Sequence, residues 1–263
     1  FLLPNIFAIA VKLDKYCMQE TIFPALIPVL KVTDPYQVTL LLLKNIALLI
    51  STCTKEQIEN HILHMVYASF DHENDQVKLA VLKVLPTIAP LLDYEKLRSP
   101  IIPSISSICL QTQNSAVRAS ALFCFNNLAP HFNRPMIEDH IYPALVETLR
   151  QDRAPSVVIA VVGVCDAITK QIGEGGDFCA RKILPLIIQF AVYPQLTKQQ
   201  FNTFMAIVRG MLDRIETERN TAFARNAKIE QTKQATNLPE HAEFTKFSTL
   251  VSDGYNENAN KLA

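Results

Sequence analysis

Residues able to do chemistry are few and scattered along this 263-residue chain. His61 and His64 stand three apart with His72 beyond them, a spacing that can present two imidazoles to a metal from one helix face. No HExxH pattern surrounds them and no carboxylate stands at ligand spacing on that face, so no metal site is assigned. Glu138-Asp139-His140 sits where a helix should begin, and acidic residues there favour the helix amino terminus. The six cysteines, Cys17, Cys53, Cys109, Cys124, Cys165 and Cys179, include no CxxC pair and mostly lie among apolar residues. They read as reduced, mostly buried small hydrophobes of a cytosolic protein rather than zinc ligands or disulfides. Gly173-Glu174-Gly175-Gly176 has neither a preceding strand nor a following Lys-Ser/Thr, which argues against a phosphate cradle. No GxSxG nucleophile motif occurs either. The expectation is no enzyme, with no catalytic residue, cofactor or metal.

Binding is the better prospect, and its candidate residues make sense only within a repeat. Ile22-Phe23-Pro24, Ile102-Pro103, Ile141-Tyr142-Pro143 and Ile183-Leu184-Pro185 recur with Ile62-Leu63-His64 in the gap, a step of about 40 residues each time. Val38, Val77, Val117 and Val157 keep the same beat, each opening a long apolar run. Two registers with one period predict an all-α fold, an α-solenoid of HEAT/armadillo-type helical-hairpin repeats. Aligning the repeats stacks Gln37 over Gln76 and Lys44 over Lys83, with Lys78 over Arg118 beside them. These polar columns on apolar second helices are the candidate protein-binding residues, on the face where stacked helices make an extended groove.

Each hairpin has a first helix such as 54–70, opened by a capping box of Thr54 and Gln57 and carrying Ile58, Ile62, Met65, Val66 and Phe70 on one face. The prolines within these segments either bend a continuous helix or mark where a helix starts. The second helices, such as 76–92 and 116–130, are apolar almost all round, as expected of a helix packed against its partner and both neighbours. The organisation read from these signals is the second helix of a truncated repeat in 1–18, an array of about five hairpins over 19–220, a helical extension at 221–235 and a disordered tail at 236–263. The first helix of the last hairpin follows the Gly-rich link. Its second helix, opened by Thr197 and Gln200, loses apolar density after Ile215, consistent with a polar cap.

Charge sets further bounds. Twenty-five basic and twenty-five acidic residues give zero formal charge, and the balance also holds on either side of Asn133. Nucleic acid is therefore not an expected partner, and an anionic membrane is disfavoured. The most hydrophobic stretch, 38–50, is broken by Lys44 and Asn45 and is too short to span a bilayer. Phe1 is not a methionine and begins inside apparent helix, so the chain reads as a piece of a longer protein. Leu91-Leu92-Asp93-Tyr94-Glu95 fits the pattern of clathrin-binding peptides, but such peptides bind in extended form and these leucines end a core helix.

Ile108-Cys109-Leu110-Gln111-Thr112 with Ala116-Val117-Arg118, the segment His64-Met65-Val66-Tyr67, and above all Gln200-Phe201-Asn202-Thr203-Phe204 running to Met211-Leu212-Asp213-Arg214-Ile215-Glu216 carry a resemblance. Over about 21–223 the chain resembles the HEAT-repeat region of the SCY-like pseudokinases, in particular their clathrin-coated-vesicle-associated branch. The resemblance implies an upstream kinase-like domain of weak or no activity, partners among clathrin coat or adaptor components, and a cytoplasmic protein peripheral on Golgi, endosomes or coated vesicles. No kinase motif lies in this chain and no clathrin box is recognisable after Thr236. A regulatory solenoid of an active kinase and a generic HEAT adaptor are the rival expectations.

Overall fold

The computed structural model describes residues 3–173 and 175–236, with side chains through 232. Glu174 of the Gly-rich link and the segment 237–263, almost all of the expected tail, lie outside the described residues. The chain divides into two compact parts, Phe1–Met211 and Leu212–Ala263.

Within the first part, helices alternate in antiparallel pairs, and the described residues contain no strand. First helices are capped at Asp14, Thr54, Asp93, Asn133 and Gly175. Second helices follow caps at Pro35, Asn74, Asn114 and Ala154, with the Thr197 capping box opening the last. Both series advance by about 40 residues per step, the interval of HEAT-type hairpins. The all-α solenoid expected from the sequence is the fold observed.

The starting boundary differs from expectation. The helix Leu3–Ala10 ends well before the expected limit at residue 18, because the Asp14 carboxylate accepts the Cys17 amide at 2.7 Å and starts the next helix at Lys15. Residues 15–18 therefore belong to the first complete repeat, not to the truncated one. Capping by an aspartate supplies an acceptor to an otherwise orphaned amide.

Every first helix carries one wide turn at the same register. These π turns are Met18–Ile22, Ile58–Ile62, Leu97–Ile101, Ile137–Ile141 and Cys179–Ile183. The residue after each donates its amide five positions back, as from Phe23 to Met18 and from Leu63 to Ile58. Proline follows this turn in four repeats, yet the second repeat has His64 there and still makes the turn. Proline is thus accommodated by the wide turn rather than its cause.

Spacing supplies the cause. The buried column of the third repeat is Leu97, Ile101, Ile105 and Cys109, and that of the fourth is Ile137, Ile141, Leu145 and Leu149. Each is spaced by fours. Twelve residues of straight α-helix make about 3.3 turns, which would carry the fourth side chain roughly 120° off the first. One π turn absorbs an extra residue and brings the column back to about three turns, onto the core.

The second helices bury most of their circumference. Val77, Val81, Leu85 and Ile88 are fully buried, as are Val117, Ala121, Leu122, Phe125 and Leu128, and then Val157, Val158, Val161, Val164, Cys165 and Ile168. Full burial of one Val or Leu side chain contributes roughly 1.5–3 kcal/mol. Val38, first in its column, is only half-buried. At the link to the last repeat, a Cβ on Gly175 would stand 2.7 Å from the Ile172 carbonyl oxygen, so only glycine fits that turn. The last helix, Lys198–Thr236, buries Phe204, Val208 and Met211.

In the second part, helical residues 212–232 are exposed or half-buried, with the Arg219 guanidinium 5.0 Å from the Phe223 ring.

If spacing rather than proline makes the wide turn, His64→Pro will change the unfolding free energy by less than about 1 kcal/mol. Val66→Pro, two residues further into straight helix, will cost about 3 kcal/mol or more. Chemical denaturation of the two variants against the parent chain measures both.

Candidate protein-interaction surface

The second helices Asp75–Ile88, Ser115–Leu128 and Pro155–Gln171 pack consecutively, and Tyr36–Lys44 precedes them. Asn74 and Asn114 fix two of their starts by accepting the amides of Gln76 and Ala116 at 2.8 and 3.0 Å. Polar links between repeats hold the register. The Asn114 amide group donates to Asp75 at 2.9 Å, Ser115 donates to Asp152 at 2.7 Å, and on the other edge Lys96 pairs with Glu59 at 2.6 Å.

The six sequence candidates do not form one surface. Gln37, Lys44, Gln76 and Lys83 are exposed, and Lys78 is half-buried. Lys83 lines a groove of about 480 Å³ between Asp75–Ile88 and Ser115–Leu128, together with Leu79, Leu82, Ser120, Phe123 and Asn127. Lys78 faces a separate cleft with Asp75 and residues 111–115. Neither Lys44 nor Lys83 forms an ion pair among the described residues.

Arg118 departs from the groove altogether. It is 6% exposed; its Nε donates to the Cys109 carbonyl at 2.8 Å, and its other nitrogens reach the Thr112 carbonyl and the Asp152 carboxylate. The guanidinium therefore staples the loop between the helices of its own repeat to the corresponding loop of the next. Its guanidinium carries donors in several fixed directions and so satisfies all three acceptors on turning inward, where Lys78, in the same column, stays half-buried. Burial pushes the Asp152 carboxyl up. The hydrogen bonds it accepts from the Ala154 amide, Ser115 and Arg118 outweigh that effect and hold it below its ordinary value.

One residue of this surface escaped the sequence reading. Phe123 is 63% exposed, although Leu122, Cys124 and Phe125 beside it are buried. Its signal was the repeat register, which places it in the column of Lys44 and Lys83 rather than that of the core valines.

The remaining chemical candidates are structural. His72 accepts the Asn74 amide at Nδ1, 3.0 Å away, so its Nε2 proton faces the Thr33 carbonyl of the preceding repeat at 3.3 Å. His61 packs on Phe23 and His64 on Tyr67. Among the described residues no group of three His, Cys, Asp or Glu is placed to hold a metal ion. Burial raises the Cys53 thiol to about 11 and the Cys109 thiol to about 12, and pushes Cys124 and Cys165 up as well, away from a reactive thiolate. Asp93 caps a first helix through the Lys96 amide at 2.8 Å, so the leucine-acidic stretch around it is a helix junction.

Comparison with known proteins follows this geometry. No family model matches the chain. It is 32% identical over 223 residues, 84% of its length, to "SCY1-like protein 2" of Homo sapiens, with the same figures for Mus musculus. The chain belongs to the SCY1-like family. It spans 24% of the length of those SCY1-like relatives. "Protein kinase domain-containing protein ppk32" of Schizosaccharomyces pombe is 23% identical over 94% of the chain and 32% of that relative. Cex1p, a solved structure, superposes with a TM-score of 0.69 at 15% identity, over 83% of this chain and 40% of its own, which supports the helical-repeat fold for this SCY1-like segment. Among the described residues no helix is long and apolar enough to cross a membrane.

Removing one partner of a buried ion pair leaves the other charge unsatisfied, so Arg118→Ala will lower stability by about 3 kcal/mol. The folded-state pKa of Asp152 is lowered, so its contribution is complete above the ordinary carboxylate value of about 3.9 and is lost as pH falls through the folded-state value. Thermal melts between about pH 6 and 3 will therefore fall less steeply for Asp152→Asn than for the parent chain.

Proposed function

We propose that this chain is a non-enzymatic protein-interaction scaffold, the HEAT-type portion of a SCY1-like protein working in clathrin- and adaptor-dependent vesicle traffic. The observation that carries the reading is the 32% identity to SCY1-like protein 2 along 84% of the chain. The trafficking role, and a place in the cytoplasm on the surface of Golgi, endosomes or coated vesicles, come with that resemblance. Supporting the scaffold role, stacked second helices leave an exposed strip carrying Lys44, Lys83 and Phe123, while the thiols of Cys109, Cys124 and Cys165 are buried. A kinase-like domain upstream in the full-length protein forms part of the proposal, and the printed name of the S. pombe relative favours it. In that arrangement nucleotide chemistry belongs outside this chain.

Purified clathrin terminal domain and adaptor complexes, passed separately over the immobilised chain, test the coat assignment. At least one will be retained, and reversal of Lys44, Lys78 and Lys83 together to glutamate will reduce retention at least tenfold with the helical circular dichroism unchanged. Retention of neither would remove the coat assignment. Turnover of ATP by the purified chain would remove the non-enzymatic one.

A further inference from the structure

The groove between Asp75–Ile88 and Ser115–Leu128 has an apolar floor, with Lys83 on its rim. Leu82 and Cys124 are buried beneath it, Leu79 is half-buried on one side, and the Phe123 ring stands 63% exposed on the other. An aromatic ring held outward on a helix whose adjacent apolar residues are buried is an anchor without a partner. Lys83 stands beside it, and Lys44 repeats that position on the preceding second helix. Gly163 takes the same position on the following second helix and adds no side chain; a Cβ there would have only Asn126 Oδ1 within 4 Å, at 3.8 Å. The groove thus stays open beyond Phe123.

Charge identifies the occupant. Neither lysine has an ion-pair partner among the described residues, and the residues lining the groove include no Asp or Glu. Asp166 pairs with Lys170 at 2.7 Å, and Asp75 accepts from Asn114 at 2.9 Å. Exposed Asn127 and the Ser120 hydroxyl, which donates to the Ala116 carbonyl at 2.9 Å, add polar groups able to meet a peptide backbone. A groove of about 480 Å³ accommodates a few side chains, not a folded domain.

We infer that this groove binds an acidic peptide segment of a partner protein through one aromatic or aliphatic anchor seated against Phe123, Leu79 and Leu82. Carboxylates flanking the anchor face Lys83 and Lys44. The inference rests on the scaffold reading above and deepens it by naming the partner's chemistry. A phospholipid surface fits less well, because the lysines are isolated along the strip and the apolar element is recessed between helices rather than raised as a basic amphipathic face.

Fluorescence anisotropy of the full chain tests it with a labelled twelve-residue peptide in which glutamates and aspartates flank a Leu-Phe pair. A second peptide with every acid replaced by lysine serves as control. The acidic peptide will bind saturably with a Kd on the order of 10–100 µM, and its affinity will fall as salt rises. Phe123→Ala and Lys83→Glu will each weaken it about tenfold, while Lys228→Glu will not change it. Melting temperatures of the variants separate loss of the groove from loss of the fold; Phe123→Leu, which keeps an apolar anchor, will retain most of the affinity.

Equal binding of the two peptides, no binding of either, or indifference to both groove variants would overturn the inference. Sedimentation with phosphatidylserine vesicles that depends on Lys83, in the absence of peptide binding, would overturn it in favour of a membrane. Retention of a coat component unaffected by Phe123→Ala would remove this groove and leave the scaffold reading intact. Peptide binding without retention of any coat component would remove only the coat assignment.

Discussion

A single hairpin of this array cannot bury its own apolar faces, and everything else in the first part of the chain follows from that constraint. A helix with valines at 157, 158, 161 and 164 is apolar on more sides than one partner can cover, so the faces left over need the neighbouring repeats. Stacking supplies that cover and fixes the order of the helices. It also determines which positions remain for binding, because a residue of a second helix can be exposed only on the narrow strip that neither partner nor neighbour reaches.

The first helices meet the same demand by a local departure from α-geometry. Their apolar residues recur by fours, a spacing that an ideal helix carries steadily off the core. The π turn corrects this drift once per repeat, and its identical register in five repeats shows that it is set by the spacing itself. Proline then occupies a position the wide turn already makes available. π turns often accompany functional sites, but here they are a repeated element of architecture.

Polar residues divide according to the edge on which the stacking places them. Where loops of successive repeats meet, Asp75 with Asn114 and Asp152 with Ser115 and Arg118 convert apolar adhesion, which has no direction, into a defined register. On the exposed strip neither Lys44 nor Lys83 is so paired among the described residues, and the aromatic ring of Phe123 shares their column. The contrast between Arg118 and Lys83 is therefore one of place. Cations of similar chemistry are structural at one edge and available at the other.

Much of this was legible in the residues. The period of about 40, the hairpin composition, the capping boxes at Thr54 and Thr197 and the family resemblance are local or tandem signals, which survive without knowledge of contacts. The four-residue spacing was equally present in Leu97, Ile101, Ile105 and Cys109, but the nearby prolines offered a simpler explanation that the second repeat does not support. The fate of Arg118 and of Phe123 could not be read in the same way. Each lies one helical step from a core position, and a step of about 100° leads either into the next repeat or out to solvent depending on how the repeats are rotated against one another. Sequence alone determined that this chain stacks helical hairpins. Tertiary structure decided which side chains face outward, because exposure here is a property of the neighbouring repeat and not of the residue.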